Sequence, residues 1–244
     1  MIDIHTHILP GMDDGSGSLE ESLAMAKESA RQGVRLLAAT PHFYATQEDP
    51  NSFLRRRERS LALLESAWQD SFPTLLVGAE VRYFDGISRV EKIAHLTLDH
   101  TRILLLEMPF TSWSRRMVEE VVELQRSRGL QVLLAHVERY LKDQDGQVWE
   151  TFRQNGVWMQ CNANFFLRWQ TKRKAQALFK KGEIHMLGSD THNMDTRPPN
   201  LGSGGFLNKS FKIPFFLKKK KKTKNRGGRR PPPRCGFLYG FRYT

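Results

Sequence analysis

The sequence predicts an α/β barrel, and three observations carry the prediction. Seven short apolar, β-rich runs lie near 2–5, 35–39, 75–79, 102–106, 131–135, 157–161 and 184–188, with amphipathic stretches between them. Glycine marks four of the joints: Gly33, Gly129, Gly156 and Gly182 each follow a helical or polar stretch and precede a run, as expected where a helix ends in the left-handed conformation. Side chains of metal-binding type close six of the runs. That pattern arises when parallel strands aim their C-terminal ends at one mouth. An open doubly wound sheet is the alternative layout, but no G-x-G-x-x-G or P-loop supports a nucleotide fold.

The elements follow in order. The run closing in MIDIHTH places His5 and His7 at i and i+2, on the same side of a strand. A helix is expected over 19–32, with Leu19, Leu23, Ala26 and Ala30 on one face and Ser18 with Glu21 as a capping box. LLAATPH ends in His42, LLVGAE in Glu80 and ILLLE in Glu107. Further helices are expected near 51–69, 114–128 and 171–181. VLLAH ends in His136, and HMLGSDTH carries Asp190 and His192, again at i and i+2. Cys161 lies inside the strand-like VWMQC and reads as a small buried hydrophobe.

Charged side chains at strand ends are costly unless paired or bound to a cation, so Glu80 and Glu107 join the histidines as candidate ligands. In the loop GMDDGS either Asp13 or Asp14 could be a further one. Imidazole mixed with carboxylate suits Mn²⁺, Zn²⁺ or Fe²⁺. Nine ligands exceed the needs of one ion and point to two or three, an arrangement suited to phosphoryl transfer. Arg139, three residues after His136, and Arg197, five after His192, could bind phosphate at the rim. Cysteine-phosphatase chemistry needs C-x5-R, but Leu167 follows Cys161 at that spacing and Phe241 follows Cys235. No G-x-S-x-G supports a serine hydrolase. His95, His100 and His185 lack a strand-end position or a partner and read as ordinary histidines.

The formal charge of +12 is unevenly placed. Residues 206–244 hold thirteen Lys and Arg and no acid, leaving 25 basic against 26 acidic residues in 1–205. The expected division is therefore a barrel over 1–205 and a basic low-complexity tail over 206–244, disordered or the product of a frameshift. MIDIHTH has neither the charged nor the long apolar region of a secretory signal, no run approaches the ~20 apolar residues of a membrane span, and two cysteines make no disulfide framework. A cytoplasmic protein is expected. The sequence leaves the oligomeric state open.

The stretches MIDIHTHILPGMDDGS, AATPHFY, GAEV, LLLEMP, LAHVERY and LGSDTHNMDTRPPNLG, spread over residues 1–202, resemble the polymerase-and-histidinol-phosphatase (PHP) superfamily. Within it the match is to the bacterial manganese-dependent tyrosine-protein phosphatases linked to capsular polysaccharide synthesis. The resemblance implies a distorted seven-stranded (β/α) barrel with a trinuclear site at the C-terminal ends of the strands. It implies one ion on His5, His7, Glu80 and Asp190, a second on Glu80, Glu107 and His136, and a third on Asp14, His42 and His192. Arg139 and Arg197 match positions that contact phosphate. The implied reaction is hydrolysis of phosphotyrosine by a metal-activated hydroxide, with no phosphoenzyme. The implied substrate is the tail of an autophosphorylated bacterial tyrosine kinase controlling polysaccharide export. Neither nucleic acid nor a membrane span is needed. After RPPNLG the family continues as amphipathic helix, where this chain has its basic segment. Two other readings use the same residues: a small-molecule phosphoesterase such as a histidinol-phosphate phosphatase, or a basic nucleic-acid- or membrane-binding protein with a structural metal site.

Overall fold

The computed structural model describes residues 1–99 and 101–203. His100 and the tail read over 206–244 lie outside the described residues. Strands and helices alternate in the order β1 (Ile2–Thr6), α1 (Leu19–Arg31), β2 (Leu36–Ala39), β3 (His42–Phe43), α2 (Pro50–Ser66), β4 (Thr74–Val77), β5 (Glu80–Arg82), β6 (Ile103–Glu107), α3 (Arg115–Arg128), β7 (Gln131–Leu134), α4 (Gly146–Gln154), β8 (Trp158–Asn162), α5 (Ala163–Leu167), α6 (Trp169–Lys180) and β9 (Met186–Gly188).

Each described strand pairing is parallel. One sheet runs β1-β2-β4 and the other β3-β5-β6-β7-β8-β9. The end of β1 meets the segment just after β9: Asp190 N–H donates to the His5 carbonyl and His7 N–H to that of Thr191, each at 2.9 Å, around a parallel bridge between Thr6 and Thr191. The parallel strands therefore form a curled arrangement. All five residues of β6 are buried, as expected of a strand covered on both faces.

The runs 35–39 and 75–79 come out shorter than the sequence suggests, and the chain resumes extended structure after each as β3 and β5. Pro41, which has no N–H to give a ladder, separates β2 from β3. Side chains bridge the gap: Thr40 Oγ1 accepts from Thr6 N–H at 3.1 Å, and Thr6 Oγ1 donates to the Ala38 carbonyl at 2.7 Å. At the matching break Gly78 lies so close to Leu98 that a β-carbon would sit 2.7 Å from Cδ2.

The expected helices form with shifted ends, and caps explain the shifts. Asp49 accepts from Asn51 and Ser52 with Pro50 at the first helical position, so α2 starts at Pro50. Ser18 caps α1 by accepting from Glu21 N–H at 3.2 Å. The return bond of the expected capping box goes to Gly17 N–H, not Ser18 N–H. Gly33, Gly129, Gly156 and Gly182 all have positive φ. The helices α4 and α5 were not expected. They span nine and five residues, too short for periodicity to stand out.

Candidate metal centre

All nine expected ligands converge. The side-chain Nε2 atoms of His5 and His7 lie 3.2 Å apart. Glu80 Oε2 is 3.1 Å from His5 Nε2, 3.3 Å from His7 Nε2 and 3.1 Å from His42 Nδ1. Asp190 Oδ1 lies 3.6 Å and 3.5 Å from the first two of these nitrogens. On the other side of Glu80, Oε1 is 2.9 Å from His136 Nε2, which is 3.3 Å from Glu107 Oε1. Asp14 Oδ1 faces His192 Nε2 at 3.4 Å and His42 Nε2 at 3.6 Å. Glu80 is thus shared by two sets of partners.

These spacings fit cations better than a hydrogen-bond network. Two atoms that each ligate an ion at about 2.1 Å lie roughly 3.0–3.4 Å apart in octahedral or tetrahedral geometry. Glu80 Oε2, His42 Nδ1 and His192 Nε2 are buried and make no hydrogen bond, although Glu80 Oε2 and His42 Nδ1 are only 3.1 Å apart. Their lone pairs and N–H directions do not meet. Buried polar atoms left so are costly, and a cation between them removes the cost. Five imidazoles and four carboxylates suit Mn²⁺, Zn²⁺ or Fe²⁺. Three overlapping groups could each hold an ion: His7, Asp14, His42 and His192; His5, His7 and Asp190; and His42, Glu80 and Glu107.

The second ring of contacts aims the ligands. Gln160 Oε1 accepts from His136 N–H at 2.7 Å and lies 3.2 Å from His5 Nδ1. His7 Nδ1 meets Asp13 Oδ2 at 2.7 Å, His136 Nδ1 meets the Tyr140 hydroxyl at 3.2 Å, and His192 Nδ1 meets the Asp190 carbonyl at 3.0 Å. With Nδ1 occupied, four histidines turn Nε2 to the centre, the usual way a protein fixes a ligating tautomer. Burial alone would lower the His7 pKa, but the adjacent Asp13 carboxylate holds it well above the ordinary value. Burial opposes ionisation of Asp13 too, and His7 with the His42 amide overcomes it. The two acids of GMDDGS differ in what they face. The Asp13 side chain, 6% exposed, bonds His7 and the His42 amide, while Asp14, with 66% of its side chain exposed, faces His42 and His192.

Arg139 and Arg197 reach the same site, donating to Asp190 Oδ2 at 2.6 and 2.8 Å. Asn162 Nδ2 donates to that oxygen as well, at 2.8 Å. Asp190 therefore shows one oxygen to the histidines and the other to the arginines. Contrary to what their spacing predicts, Asp190 and His192 do not share the face of a strand. Strand β9 ends at Gly188, and Asp190 has φ of 54°, so a left-handed turn and not the pleat brings the pair together. His136 is left-handed too, at 33°. Such conformations are strained for non-glycine residues and gather at functional sites. Of the histidines set aside, His95 is exposed and His185 accepts from Met159 N–H; neither belongs to the cluster.

Sequence reasoning missed Asp13's orienting role, Gln160, Tyr140, Arg82 and Phe110. Arg82 donates to Glu107 Oε2 at 2.6 Å and lies 5.0 Å from the Phe110 ring centre. Only Gln160 carried a legible signal, as a polar residue inside the apolar run VWMQC.

A family model described as capsular polysaccharide synthesis, CpsB/CapC, matches residues 1–210. The chain belongs to the CpsB/CapC family. Within it, tyrosine-protein phosphatase CpsB of Streptococcus agalactiae is 32% identical over 231 residues, covering 87% of this chain and 89% of that protein. Tyrosine-protein phosphatase YwqE of Bacillus subtilis is 31% identical over 204 residues, covering 81% and 79%. A solved structure from work on YwqE of Bacillus subtilis and CpsB of Streptococcus pneumoniae, described as unique metal-dependent tyrosine phosphatases, superposes with a TM-score of 0.71 at 27% identity, over 85% of this chain and 86% of that one. The CpsB/CapC match includes all of the motifs that carry the sequence resemblance. No helix among the described residues is long and apolar enough to cross a membrane.

Proposed function

We propose that this CpsB/CapC protein is a metal-dependent protein-tyrosine phosphatase. The observation that carries the reading is the convergence on Glu80 Oε2 of three imidazole nitrogens at 3.1–3.3 Å, with no hydrogen bond to that oxygen. The names of CpsB and YwqE, and the metal dependence ascribed to the solved relatives, support it.

On this reading β2 with β3, and β4 with β5, each count as one interrupted strand of a closed seven-stranded barrel. The metal centre lies at the C-terminal ends of the strands, and residues 1–205 form the phosphatase body. His5, His7, Glu80 and Asp190 would hold one ion, Glu80, Glu107 and His136 a second, and Asp14, His42 and His192 a third. Manganese is the first choice, with zinc or iron(II) as alternatives. Such ions, when bound, activate water and offset charge on a transferring phosphoryl group.

The chain's own residues do the positioning. Arg139 and Arg197 each use one N–H on Asp190, and a guanidinium has five, so donors remain for phosphate oxygens. Tyr140 and Gln160 hold His136 and His5 in register. A phenolate leaving group, with a pKa near ~10, needs less help from an acid than an alkoxide. The substrate we favour is the phosphorylated tail of a bacterial tyrosine kinase that controls capsule synthesis.

The test is an assay of chelator-stripped protein on a phosphotyrosine peptide and on histidinol phosphate, with Mn²⁺, Zn²⁺ or Fe²⁺ restored separately. Metal-dependent turnover that favours the peptide is expected. Turnover that favours histidinol phosphate, or none with any metal, contradicts the reading.

A further inference from the structure

Four large apolar side chains are conspicuously exposed among the described residues: Leu63, Phe110, Trp169 and Met194. Of these, Phe110 is the one stacked on a ring of the metal cluster. It follows β6 by three residues, and its ring lies 5.9 Å from that of His136 at 30° and 5.6 Å from that of Tyr140 at 24°. One side of the ring is thus packed on the site, while the residue as a whole remains 46% exposed. A solvated phenyl group gains nothing from that exposure, since apolar area left in water forgoes about 25 cal/mol per Å².

Two arginines accompany it. Arg82 lies 5.0 Å and Arg139 5.9 Å from the ring centre. Each also grips a carboxylate of the cluster: Arg82 holds Glu107 and Arg139 holds Asp190. The aromatic ring therefore has two cations within 6 Å of its centre, beside a site suited to an anion. A phosphate ester drawn to those guanidinium groups would have its organic substituent beside Phe110. A methyl or seryl substituent is too short to cover the ring. A phenyl substituent can stack on it in the offset geometry aromatic pairs prefer.

We infer that Phe110 is the specificity-determining residue of this site, forming the wall against which the aryl group of an aryl phosphate stacks. The inference rests on the phosphatase reading given above. Arg82 is the cation that holds the ring side and the anion side of the subsite together.

The experiment measures binding of phenylphosphonate and of methylphosphonate, whose P–C bonds are not hydrolysed, to the Mn²⁺-loaded protein by calorimetry, in the wild type, Phe110→Ala and Phe110→Tyr. It is paired with kcat and KM on phosphotyrosine and phosphoserine peptides. In the wild type phenylphosphonate should bind about tenfold more tightly than methylphosphonate, as expected of one aromatic contact with its buried area. Phe110→Ala should bring the two anions together and raise KM for the phosphotyrosine peptide, leaving methylphosphonate binding and metal content unchanged. Phe110→Tyr should restore the preference. An unchanged preference in Phe110→Ala overturns the inference while leaving the phosphatase reading intact. An equal loss for both anions, accompanied by loss of metal, also overturns it, because Phe110 then only props up His136. If the wild type hydrolyses neither peptide, the phosphatase reading fails and this inference goes with it.

Discussion

Gly188 packs against His5 with no room for a side chain: a β-carbon there would lie 2.5 Å from Cβ of His5 and 2.9 Å from Nε2 of Gln160. Gly15 meets His7 in the same way, at 2.4 Å. Two bare glycines thus set the positions of the two central histidines. Gly188→Ala must displace His5 or the strand that carries it. Metal affinity is expected to fall about 10- to 100-fold, the range seen when contacts that support a ligand are lost. Titration of stripped protein with Mn²⁺ checks this, and unchanged affinity would show that Gly188 does not set the position of His5.

Gln160 serves two histidines through one oxygen, and its amide nitrogen donates to Asn162 at 2.9 Å. Gln160→Ala leaves the buried His136 N–H without a partner, at a cost of about 1–3 kcal/mol. Thermal unfolding should show that loss in metal-free protein. Metal titration should show a further loss of affinity. A variant matching the wild type in both would remove Gln160 from the site.

Much of the site could be read from the sequence because its ligands follow apolar runs directly. His5, His42, Glu80, Glu107 and His136 needed only the rule that parallel strands end together. What could not be read depends on turns and on chain crossings. Asp190 enters by a left-handed residue, which periodicity does not reveal. Asp13 and Asp14 are neighbours in one loop, and only the fold decides that one is buried under His7 while the other faces His192. Arg82 and Phe110 come together from two different strand ends, and neither has a spacing relative to the other. The breaks at Pro41 and Gly78 were likewise hidden, because the apolar runs continue up to them.

Asp190 Oδ2 accepts from both Arg139 and Arg197, so the two arginines are coupled. Either single change to Ala should lower kcat/KM on a phosphotyrosine peptide by about 100-fold, within the cost of removing a donor from developing charge. Asp190 then keeps two donors and the metal content should hold. The double change leaves Asn162 alone on that oxygen, and metal loss should exceed the sum of the singles. Metal analysis beside kinetics separates the cases. A single change that empties the site, or that leaves kcat/KM intact, contradicts this assignment.

Asp3 is a buried residue of β1, and its Oδ1 accepts from Ser189 N–H at 2.8 Å. Burial raises its pKa from 3.8 to about 6, with the Ser189 bonds partly opposing the rise. A carboxyl with a raised folded pKa binds its proton more tightly folded than unfolded, so its contribution to stability is full below about 4 and is lost as pH rises through about 6. Asp3→Asn can keep the accepting oxygen without the charge. The variant should equal the wild type near pH 4 and exceed it at pH 8, by up to about 3 kcal/mol. Paired denaturant melts across that range test the sign. A gap that widens toward acid pH would be the opposite result.

If Glu80 joins two cations, counting metal in Glu80→Gln shows it most directly. The change keeps size and one acceptor while removing the charge shared by His5, His7, His42 and His136. Wild-type protein loaded with Mn²⁺ and desalted should retain two to three ions per chain. Glu80→Gln should retain at most one and lose nearly all phosphotyrosine hydrolysis. Equal metal content in the two proteins would contradict the account.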